Sequence, residues 1–311
     1  MQVLIVGNGN HANKKIIPAL KGLRYLNSII VADRKSDNYS IKSKKKVNVI
    51  NKEFLLSSDH GYRFDSVIIS TYPSSHIENL VAFKDIGESF IVEKPISSDI
   101  KYLLSKEFKN LFKNTNAIES LMFFHHPLFN FLNNIIEKNM FNTLEASFTI
   151  PAIKDKDDFR YNKKLGGSAI LDNGIYPISL ISAVANENLK LDFKEISYHN
   201  KYGIDKNGKA QYSSKYFKKI KIKWGMTGKY SNYIKLINSK DEIFIPFFFS
   251  KPANIFPKIY FSSGEVRSVR NINHFRSLYN SFLKEEKEKF SYSTYNSIKN
   301  RYLLINELLN D

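Results

Sequence analysis

The first 120 residues alternate short apolar runs with helix-like stretches, and this alternation restricts the fold more than any other feature of the sequence. Residues 3–6, 29–32, 66–70 and 90–92 have the length and composition of buried strands. Residues 14–23 have the apolar spacing of an amphipathic helix. Strands that alternate with helices form a parallel sheet with helices packed on its faces. The sequence therefore predicts an N-terminal α/β domain with a doubly wound parallel sheet over residues 1–120.

The turn between the first predicted strand and helix, Gly7-Asn8-Gly9-Asn10-His11-Ala12, has a GxGxxA pattern. Gly7 permits the tight turn, Gly9 lets the backbone approach a pyrophosphate, and Ala12 allows close packing of the helix on the strand. Asn10 and His11 open the helix, whose N-terminus offers free N–H groups and a partial positive charge to phosphates. The pattern predicts a dinucleotide site of the Rossmann type, with an ordinary glycine loop as the alternative.

The residues at the end of the second predicted strand bear on the identity of the dinucleotide. Asp33 would accept hydrogen bonds from the adenosine ribose, which favours NAD and repels a 2′-phosphate. Arg34 and Lys35 follow directly and would instead bind that phosphate. NAD and NADP are therefore both candidate cofactors.

Further candidate residues follow the later predicted strands. In sheets of this kind, ligands bind beyond the carboxyl ends of the strands, where we expect Thr71, Pro73 and Lys94. The proline after Lys94 holds that lysine in an extended backbone. In the alternative interpretation, Glu93 and Lys94 form only a surface ion pair.

The composition excludes several classes of protein. The 311-residue chain is 42% hydrophobic, so it is not disordered and has material for about two domains. Its apolar runs are shorter than the roughly 18 residues of a membrane span, and residues 1–20 lack a signal-peptide pattern. We therefore expect a soluble, cytoplasmic protein. The chain has no cysteine, and its seven histidines lack metal-ligand spacing, so we expect no metal site.

The formal net charge of +17 suits nucleic acid, an anionic membrane or an anionic small substrate as partner. Residues 219–224 alternate lysine with apolar residues, which indicates a half-buried strand with a solvated face. The other basic cluster lies in a loop-like stretch without interleaved aromatic residues and consists of Lys42, Lys44, Lys45 and Lys46. Neither cluster carries a nucleic-acid motif. We expect neither nucleic acid nor a membrane as partner.

Six motifs together resemble the Gfo/Idh/MocA family, which is named for glucose-fructose oxidoreductase and inositol dehydrogenase. They are, in chain order, the GxGxxA turn, Thr71-x-Pro73-x-x-His76, Glu93-Lys94-Pro95, His126-Pro127, Phe159-Arg160 and the glycine-rich segment 166–177. That last segment resembles the family pattern GGGxLxDxGxH in the subgroup that has a tyrosine, here Tyr176, in place of the histidine. The resemblance spans nearly the whole chain.

The resemblance implies a Rossmann domain followed by an α+β domain over residues 121–311, whose open, mostly antiparallel sheet forms the interface of a homo-oligomer. Residues 144–150 and 220–224 have the pattern of strands, and residues 295–309 have that of a last amphipathic helix, which could pack back on the N-terminal domain. The nicotinamide ring would lie between the domains. The implied cofactor-binding residues are Gly7, Gly9, Asn10, His11, Ala12, Asp33, Arg34, Thr71, Pro73, His76, Glu93 and Lys94.

The implied reaction is hydride transfer between the nicotinamide of NAD or NADP and a carbon that bears a hydroxyl or carbonyl group. A proton must be transferred at the oxygen. Lys94 and Tyr176 are the candidate donors, and which of them donates stays open. Asp172 lies four residues before Tyr176, so on a helix both share a face, which Gly174 would leave open. The family expectation is a sugar-like substrate, and a nucleotide-linked keto sugar suits the basic charge.

Two departures from the family pattern bear on the function. Phe124 stands where the tyrosine subgroup has an arginine before His-Pro, and Ser179 stands where the histidine subgroup has an aspartate. The first departure permits an alternative function, that of a nucleotide-binding sensor or regulatory protein without turnover. The retained Lys94, Asp172 and Tyr176 favour an enzyme.

Overall fold

The computed structural model describes residues 1–40, 46–57, 61–138, 141–185, 189–252, 254–284 and 287–310. The chain divides into two compact units. The first unit consists of residues Met1–Ser120 and Phe275–Tyr295, and the second consists of Leu121–His274 and Asn296–Asp311. The segment that rejoins the first unit thus precedes the last helix. Most of the basic cluster at residues 42–46 lies outside the described residues.

The first unit is built on a six-stranded sheet in which all neighbouring strands are parallel. Its strands are β1 Gln2–Val6, β2 Ser28–Asp33, β3 Val47–Asn51, β4 Ser66–Ile69, β5 Phe90–Glu93 and β6 Ala117–Ser120. Their order is β3-β2-β1-β4-β5-β6, the order of a doubly wound dinucleotide-binding sheet. All four residues of β4 and of β5 are buried, because both faces of the sheet are covered.

Five short helices connect these strands: α1 Ile17–Lys21, α2 Lys52–Leu56, α3 His76–Phe83, α4 Ile100–Leu103 and α5 Lys106–Asn114. Asn51, Asp99 and Ser105 cap α2, α4 and α5, because each side chain accepts a hydrogen bond from a backbone N–H of the first turn. A 3-10 turn, Pro73–Ser75, leads into α3. The connections therefore leave the carboxyl ends of the strands on one edge of the sheet.

The second unit is built on an eight-stranded sheet with the order β14-β13-β12-β11-β7-β10-β9-β8. Its strands are β7 Thr143–Thr149, β8 Lys190–His199, β9 Ile204–Ser213, β10 Lys219–Gly225, β11 Ser231–Ile237, β12 Glu242–Pro246, β13 Lys258–Phe261 and β14 Val266–Ser268. Only the β7–β10 pair is parallel, and the other pairs are antiparallel. Strands β10 to β12 alternate buried residues with partly or fully exposed ones, so one face belongs to the core.

Four further helices follow: α6 Pro127–Lys138, α7 Ile175–Val184, α8 His274–Leu283 and α9 Tyr295–Leu309. Short 3-10 segments occur at Met122–His125, Phe159–Tyr161, Lys163–Leu165 and Lys287–Ser293, and a π-helical turn, Ile170–Gly174, precedes α7. Among the described residues, no helix combines the length and the apolar character needed to cross a membrane.

One predicted element differs in detail from the structure. The predicted helix over residues 14–23 is a π-helical turn, Ala12–Ile16, that continues into α1. Pro18 has no N–H for the carbonyl of Lys14, so a regular α-helical ladder cannot run through it. In the second unit, β12 ends at Pro246, because Phe247 has a φ of 53° that turns the chain.

Candidate active site

The glycine-rich turn of the first unit has two glycines with different structural roles. Gly7 has a φ of +109°, and a Cβ there would lie 2.5 Å from the carbonyl oxygen of Ser70, at the end of β4. Gly7 is thus required where β1 and β4 end side by side. A Cβ at Gly9 would meet nothing within 4 Å. The turn is therefore open at Gly9, as close approach of a pyrophosphate requires.

Asp33 lies at the end of β2 and is tied to this turn. Its carboxylate accepts hydrogen bonds from the backbone N–H of Lys35, at 3.0 Å, and from the side-chain amide of Asn8, at 2.9 Å. These hydrogen bonds, together with the charges of Lys35 and Arg34, lower the pKa of Asp33. The carboxylate therefore stays ionised beside two exposed cationic residues. Asn8 was not among the predicted site residues.

Lys94 directly follows β5 and is half-buried, and its peptide bond to Pro95 is cis. The backbone beyond it is held by two buried side chains. The Nδ1 atom of His76 lies 2.8 Å from the carbonyl oxygen of Pro95. A carboxylate oxygen of Glu119 accepts a hydrogen bond from the backbone N–H of Ile96, at 2.8 Å. Lys94 is thus carried on a fixed segment at the carboxyl edge of the sheet.

His76 is 1% exposed, and both of its ring nitrogens face backbone carbonyls. Besides Pro95, the ring meets the carbonyl oxygen of Thr71, at 3.1 Å. Burial lowers the pKa of His76, against the two carbonyls that raise it. The side chain of Thr71 is itself fixed, since its hydroxyl accepts from Ser75 at 3.0 Å and from Asn79 at 3.2 Å. His76 therefore joins the turns after β4 and β5.

Glu93 is a buried carboxylate at the end of β5, with 6% exposure. It accepts a hydrogen bond from the hydroxyl of Ser120, at 2.9 Å, and its other oxygen lies 3.4 Å from Nε2 of His11. Burial raises the pKa of Glu93, but the opposing interactions with His11, Ser120 and Lys94 dominate, and the pKa is lowered. Burial and the charge of Glu93 raise the pKa of the Tyr279 phenol. Glu93 thus links the glycine-rich turn to the segment that carries Lys94.

In the second unit, the glycine-rich segment fixes the backbone around Asp172. Gly166 has a φ of +90°, and a Cβ at Gly167 would lie 2.4 Å from the carbonyl oxygen of Arg160. The following helical turn is capped by Asp205, whose carboxylate accepts from the Ser168 hydroxyl at 2.6 Å and from the N–H groups of residues 169 and 170. Burial raises the pKa of Asp205. The two glycines therefore allow the backbone of residues 159 and 160 to pass in close contact with the backbone of the glycine-rich segment.

The crossing places Arg160 against the predicted catalytic Asp172. The guanidinium Nε donates to a carboxylate oxygen of Asp172 at 2.7 Å, and Nη1 lies 3.2 Å from the carboxylate of Asp158. The two carboxylates, with Asp172 the stronger influence, raise the pKa of Arg160. Arg160 appeared in the sequence only as part of a family motif, so its contact with Asp172 was not predicted.

Tyr176 is 5% exposed and lies among aromatic side chains. Its hydroxyl donates to the sulfur of Met122 at 3.7 Å, and its ring packs edge-on against Phe148, with the centroids 5.0 Å apart. Because Asp172 lies in a π-helical turn, the four-residue spacing of an α-helix does not align it with Tyr176. The described partners of the two side chains accordingly differ.

Gly174 does not leave an open face, contrary to the prediction. A Cβ at Gly174 would lie 3.1 Å from Cγ of Trp224, on β10. A Cβ at Gly208, on β9, would lie 2.1 Å from Cζ2 of the same indole. The indole is therefore held between two glycines, and it packs directly under the turn that bears Asp172.

The region of Phe124 and the His-Pro motif is a buried core. The centroid of the Phe124 ring lies 4.1 Å from that of Phe123, and both residues belong to the 3-10 segment Met122–His125. His126 stacks on His274, with the ring centroids 4.0 Å apart. Burial and the charge of Lys251 lower the pKa of His126 to about 4. No group of three or more potential metal ligands occurs among the described residues.

The protein thus combines a Rossmann-type parallel sheet in one unit with a mostly antiparallel sheet in the other. No protein-family model matches the chain. A curated relative, dTDP-3,4-didehydro-2,6-dideoxy-alpha-D-glucose 3-reductase of Actinomadura kijaniata, is 23% identical over 274 residues, or 84% of this chain and 79% of the relative. The enzyme of the same name from Streptomyces violaceoruber is 23% identical over 267 residues, 81% and 75% of the two chains.

Two solved structures share the fold. The 3-ketoreductase KijD10 from Actinomadura kijaniata, in complex with NADP and TDP-benzene, has a TM-score of 0.85 at 19% identity and covers 99% of this chain and 97% of that chain. The aldose-aldose oxidoreductase from Caulobacter crescentus has a TM-score of 0.81 at 13% identity, over 99% and 96% of the two chains. By their names, these proteins are reductases and oxidoreductases that act on sugars. The predicted fold class is confirmed.

Proposed function

We propose that the chain is an NADP-dependent oxidoreductase that reduces the keto group of a nucleotide-linked sugar. The observation that carries this proposal is the fixed position of Lys94, which follows β5 at the edge of the sheet where the glycine-rich turn opens. His76 and Glu119 hold the backbone of that segment. Functional side chains need a rigid backbone, so the use of two buried polar residues to fix this segment supports a chemical role for Lys94.

The cofactor residues fit a dinucleotide. The open turn at Gly9, with Gly7, Asn10, His11 and Ala12 around it, would hold the pyrophosphate. The turn after β4, with Thr71 and Pro73, would line the path to the nicotinamide, while His76 and Glu93 position their neighbours from buried sites.

NADP is the proposed form of the cofactor. The solved ketoreductase described above was crystallised with NADP. In this chain, Arg34 and Lys35 are exposed directly after β2 and would bind a 2′-phosphate. Asp33 is already engaged by Asn8 and by the backbone of Lys35, which leaves the two cations to face the phosphate.

A reduced nicotinamide, when bound, supplies the hydride that reduces the carbonyl carbon. The residues of this chain then manage the proton at the carbonyl oxygen. We assign Lys94 as the central polar group and Tyr176 as the proton donor or its partner. Asp172, which is held by Arg160 at 2.7 Å, would orient the substrate hydroxyl or Lys94. Tyr176 would place the chain in the tyrosine-type subgroup of the family.

We assign dinucleotide binding to residues 1–120 and the substrate to residues 121–311, in a cytoplasmic homo-oligomer formed through the second sheet. The solvent-exposed face of that sheet supports an interface. Two ion pairs lie on it between exposed aromatic side chains, and such a mixture of charged pairs and aromatic rings suits contact with a second copy of the chain. Glu145 lies 2.7 Å from Lys221, and Lys235 lies 2.7 Å from Glu242. Phe193 and Tyr260 are 48% and 40% exposed. Sedimentation of the protein tests this assignment, since a monomer at micromolar concentration would refute it.

The first test is titration of the purified protein with NADPH and NADH, followed by energy transfer from the protein aromatics to the reduced nicotinamide. We expect saturable binding with a preference for NADPH. Reduction of a dTDP-linked 3-keto sugar is then followed by the loss of NADPH absorbance.

Lys94→Met should reduce turnover by about 10²–10⁴-fold, the usual range for loss of an acid–base group, while NADPH still binds. Lys101→Met, at an exposed lysine on α4 of the same unit, is the control and should retain full activity. Binding of neither cofactor would overturn the proposal. NADPH binding by a wild type that reduces no keto sugar would instead support the sensor function.

A further inference from the structure

The second unit contains a basic pocket beside the ion pair of Arg160 and Asp172. Its cavity has a volume of about 440 Å³, within the range of roughly 300–1,000 Å³ that is usual for small-ligand sites. Four lysines and two tyrosines give the pocket its character, and we call it the lysine pocket: Lys156, Lys163, Lys164, Lys201, Tyr161 and Tyr202.

The lysine pocket has an excess of positive charge. Its lining includes two acidic residues, Asp157 and Asp158, against the four lysines. Asp158 is engaged by Arg160, which donates to it from the backbone at 2.9 Å and from Nη1 at 3.2 Å. Four lysines against two carboxylates, one of them engaged by Arg160, give the lining a net positive charge, and clustered lysines attract phosphate.

The part of the backbone that carries Lys163 and Lys164 is fixed before any ligand binds. The side chain of Asn162 accepts a hydrogen bond from the N–H of Lys164 at 3.0 Å. Gly166 ends the turn with a φ of +90°, and Gly167 packs under residues 159 and 160. A preformed turn loses less conformational entropy when it binds a ligand.

Two tyrosines form an aromatic wall in the same pocket. The ring centroids of Tyr161 and Tyr202 are 5.0 Å apart with an angle of 31° between the rings. Tyr161 is anchored, since its hydroxyl donates to the carbonyl of Ile153 at 3.1 Å. The amino groups of Lys156 and Lys201 each lie 5.3 Å from the centre of one of these rings. Aromatic rings beside lysines suit a nucleobase followed by phosphates, since bases stack on such rings.

The lysine pocket is connected to the predicted catalytic residues by direct contacts. Asp158 lines the pocket and binds Arg160, and Arg160 binds Asp172. Two residues, Asp158 and Arg160, therefore connect a ligand in the pocket to the residue assigned to orient the reacting sugar. This is the arrangement expected when one end of a substrate is bound for affinity and the other end reacts.

We propose that the lysine pocket binds the nucleoside diphosphate portion of the substrate, with the base on the partly exposed Tyr202, whose ring the buried Tyr161 supports, and the diphosphate among the lysines. The proposal rests on the proposed function, because it names the part of the chain that would recognise a nucleotide-linked sugar. It requires no further cofactor or bond-forming step.

The test uses dTDP, inorganic pyrophosphate and NADPH as separate ligands in titration calorimetry of the full chain. Lys163→Glu and Lys201→Glu should each weaken dTDP binding by about tenfold, because each replaces an attractive charge beside the diphosphate with a repulsive one. Tyr202→Ala should weaken dTDP binding but leave pyrophosphate binding unchanged. Lys258→Glu on β13 and Tyr216→Ala are the matched controls, since both side chains are exposed away from the pocket.

The proposal is supported if the pocket variants lose dTDP affinity while the controls and NADPH binding stay at the wild-type level. It is overturned if wild-type protein fails to bind dTDP at millimolar concentration, or if pocket and control variants bind it equally. An equal loss of NADPH affinity in the pocket variants would also overturn it, because the pocket would then serve the cofactor. Lysine-dependent dTDP binding without any reductase activity would support the pocket and refute the reaction.

Discussion

Replacement of Arg160 by methionine should destabilise the second unit strongly. The same replacement in a second ion pair of similar geometry should have little effect. In both pairs an arginine Nε donates to a carboxylate: Arg160 to Asp172 at 2.7 Å, and Arg267 to Glu265 at 2.6 Å. Their burial differs, because the side chains of the first pair are 32% and 13% exposed and those of the second pair are 52% and 49% exposed.

The difference in burial sets the magnitude. A hydrogen bond to a charged group contributes about 1.5–3 kcal/mol when the group left behind is buried, whereas an exposed ion pair contributes roughly 0.2–1 kcal/mol. Loss of the Arg160 guanidinium also leaves Asp158 and Asp172 without their shared cation. We therefore expect Arg160→Met to lower the free energy of unfolding by about 2–3 kcal/mol and Arg267→Met to leave it nearly unchanged.

The assay is urea unfolding monitored by the fluorescence of Trp224, the single tryptophan, which is fully buried in the second unit. With a denaturant slope of about 2 kcal/mol per molar, Arg160→Met should lower the midpoint by about 1 M. Arg160→Lys keeps the charge and should lie between Arg160→Met and the wild type. Equal midpoints for Arg160→Met and Arg267→Met would refute the reasoning, since burial would then have no effect on the pair.

Three further predictions follow from the site. Gly9→Ala should leave the melting temperature unchanged but weaken NADPH binding. Gly7→Ala should instead lower the melting temperature, because its Cβ would lie 2.5 Å from a backbone oxygen. Differential scanning calorimetry and NADPH titration distinguish these two effects. Arg34→Ala should weaken NADPH binding by about tenfold and leave NADH binding unchanged, and equal losses would contradict the proposed phosphate contact. The pKa of His126 is lowered to about 4 in the folded protein, so between pH 6.5 and 4 the unfolded chain binds a proton that the folded protein does not. The free energy of unfolding should therefore decrease by up to about 3 kcal/mol as the pH drops from 6.5 to 4. His126→Gln should flatten that decrease in the Trp224 signal, and an unchanged slope would assign the pH dependence to other groups.

The sheet of the first unit was predictable because its central strands are buried on both faces, which leaves continuous apolar runs in the sequence. Strands β3 and β6 were not predicted, because neither forms a continuous apolar run. In β3, Val47–Asn51, apolar and polar residues alternate, and β6, Ala117–Ser120, contains a buried glutamate. The positions of the glycine-rich turn, Asp33 and Lys94 at the carboxyl ends of strands were predictable from the apolar runs that precede them. Burial of polar groups such as Glu119 depends on partners distant in sequence, and no local pattern records it.

The second unit shows the same limit. Asp172 and Tyr176 were identified through a motif, but the side chains that surround them come from other elements. Arg160 reaches Asp172 because Gly167 lets two backbones cross, and Asp205 caps the helical turn from β9. The four-residue spacing assumed a regular α-helix, which the π-helical turn replaces. Such irregular turns have no sequence signature that separates them from ordinary helix starts.

The indole of Trp224, held between Gly174 and Gly208, acts as a spacer that fixes the height of the turn bearing Asp172 above the sheet. The three positions can therefore change only in a concerted way during divergence. A homologue with alanine at the position of Gly208 is expected to carry a smaller residue at that of Trp224, with a corresponding displacement of the turn that bears Asp172. Covariation among these three positions would then report the depth of the sugar site proposed above, and so the size of the substrate that each homologue would accept.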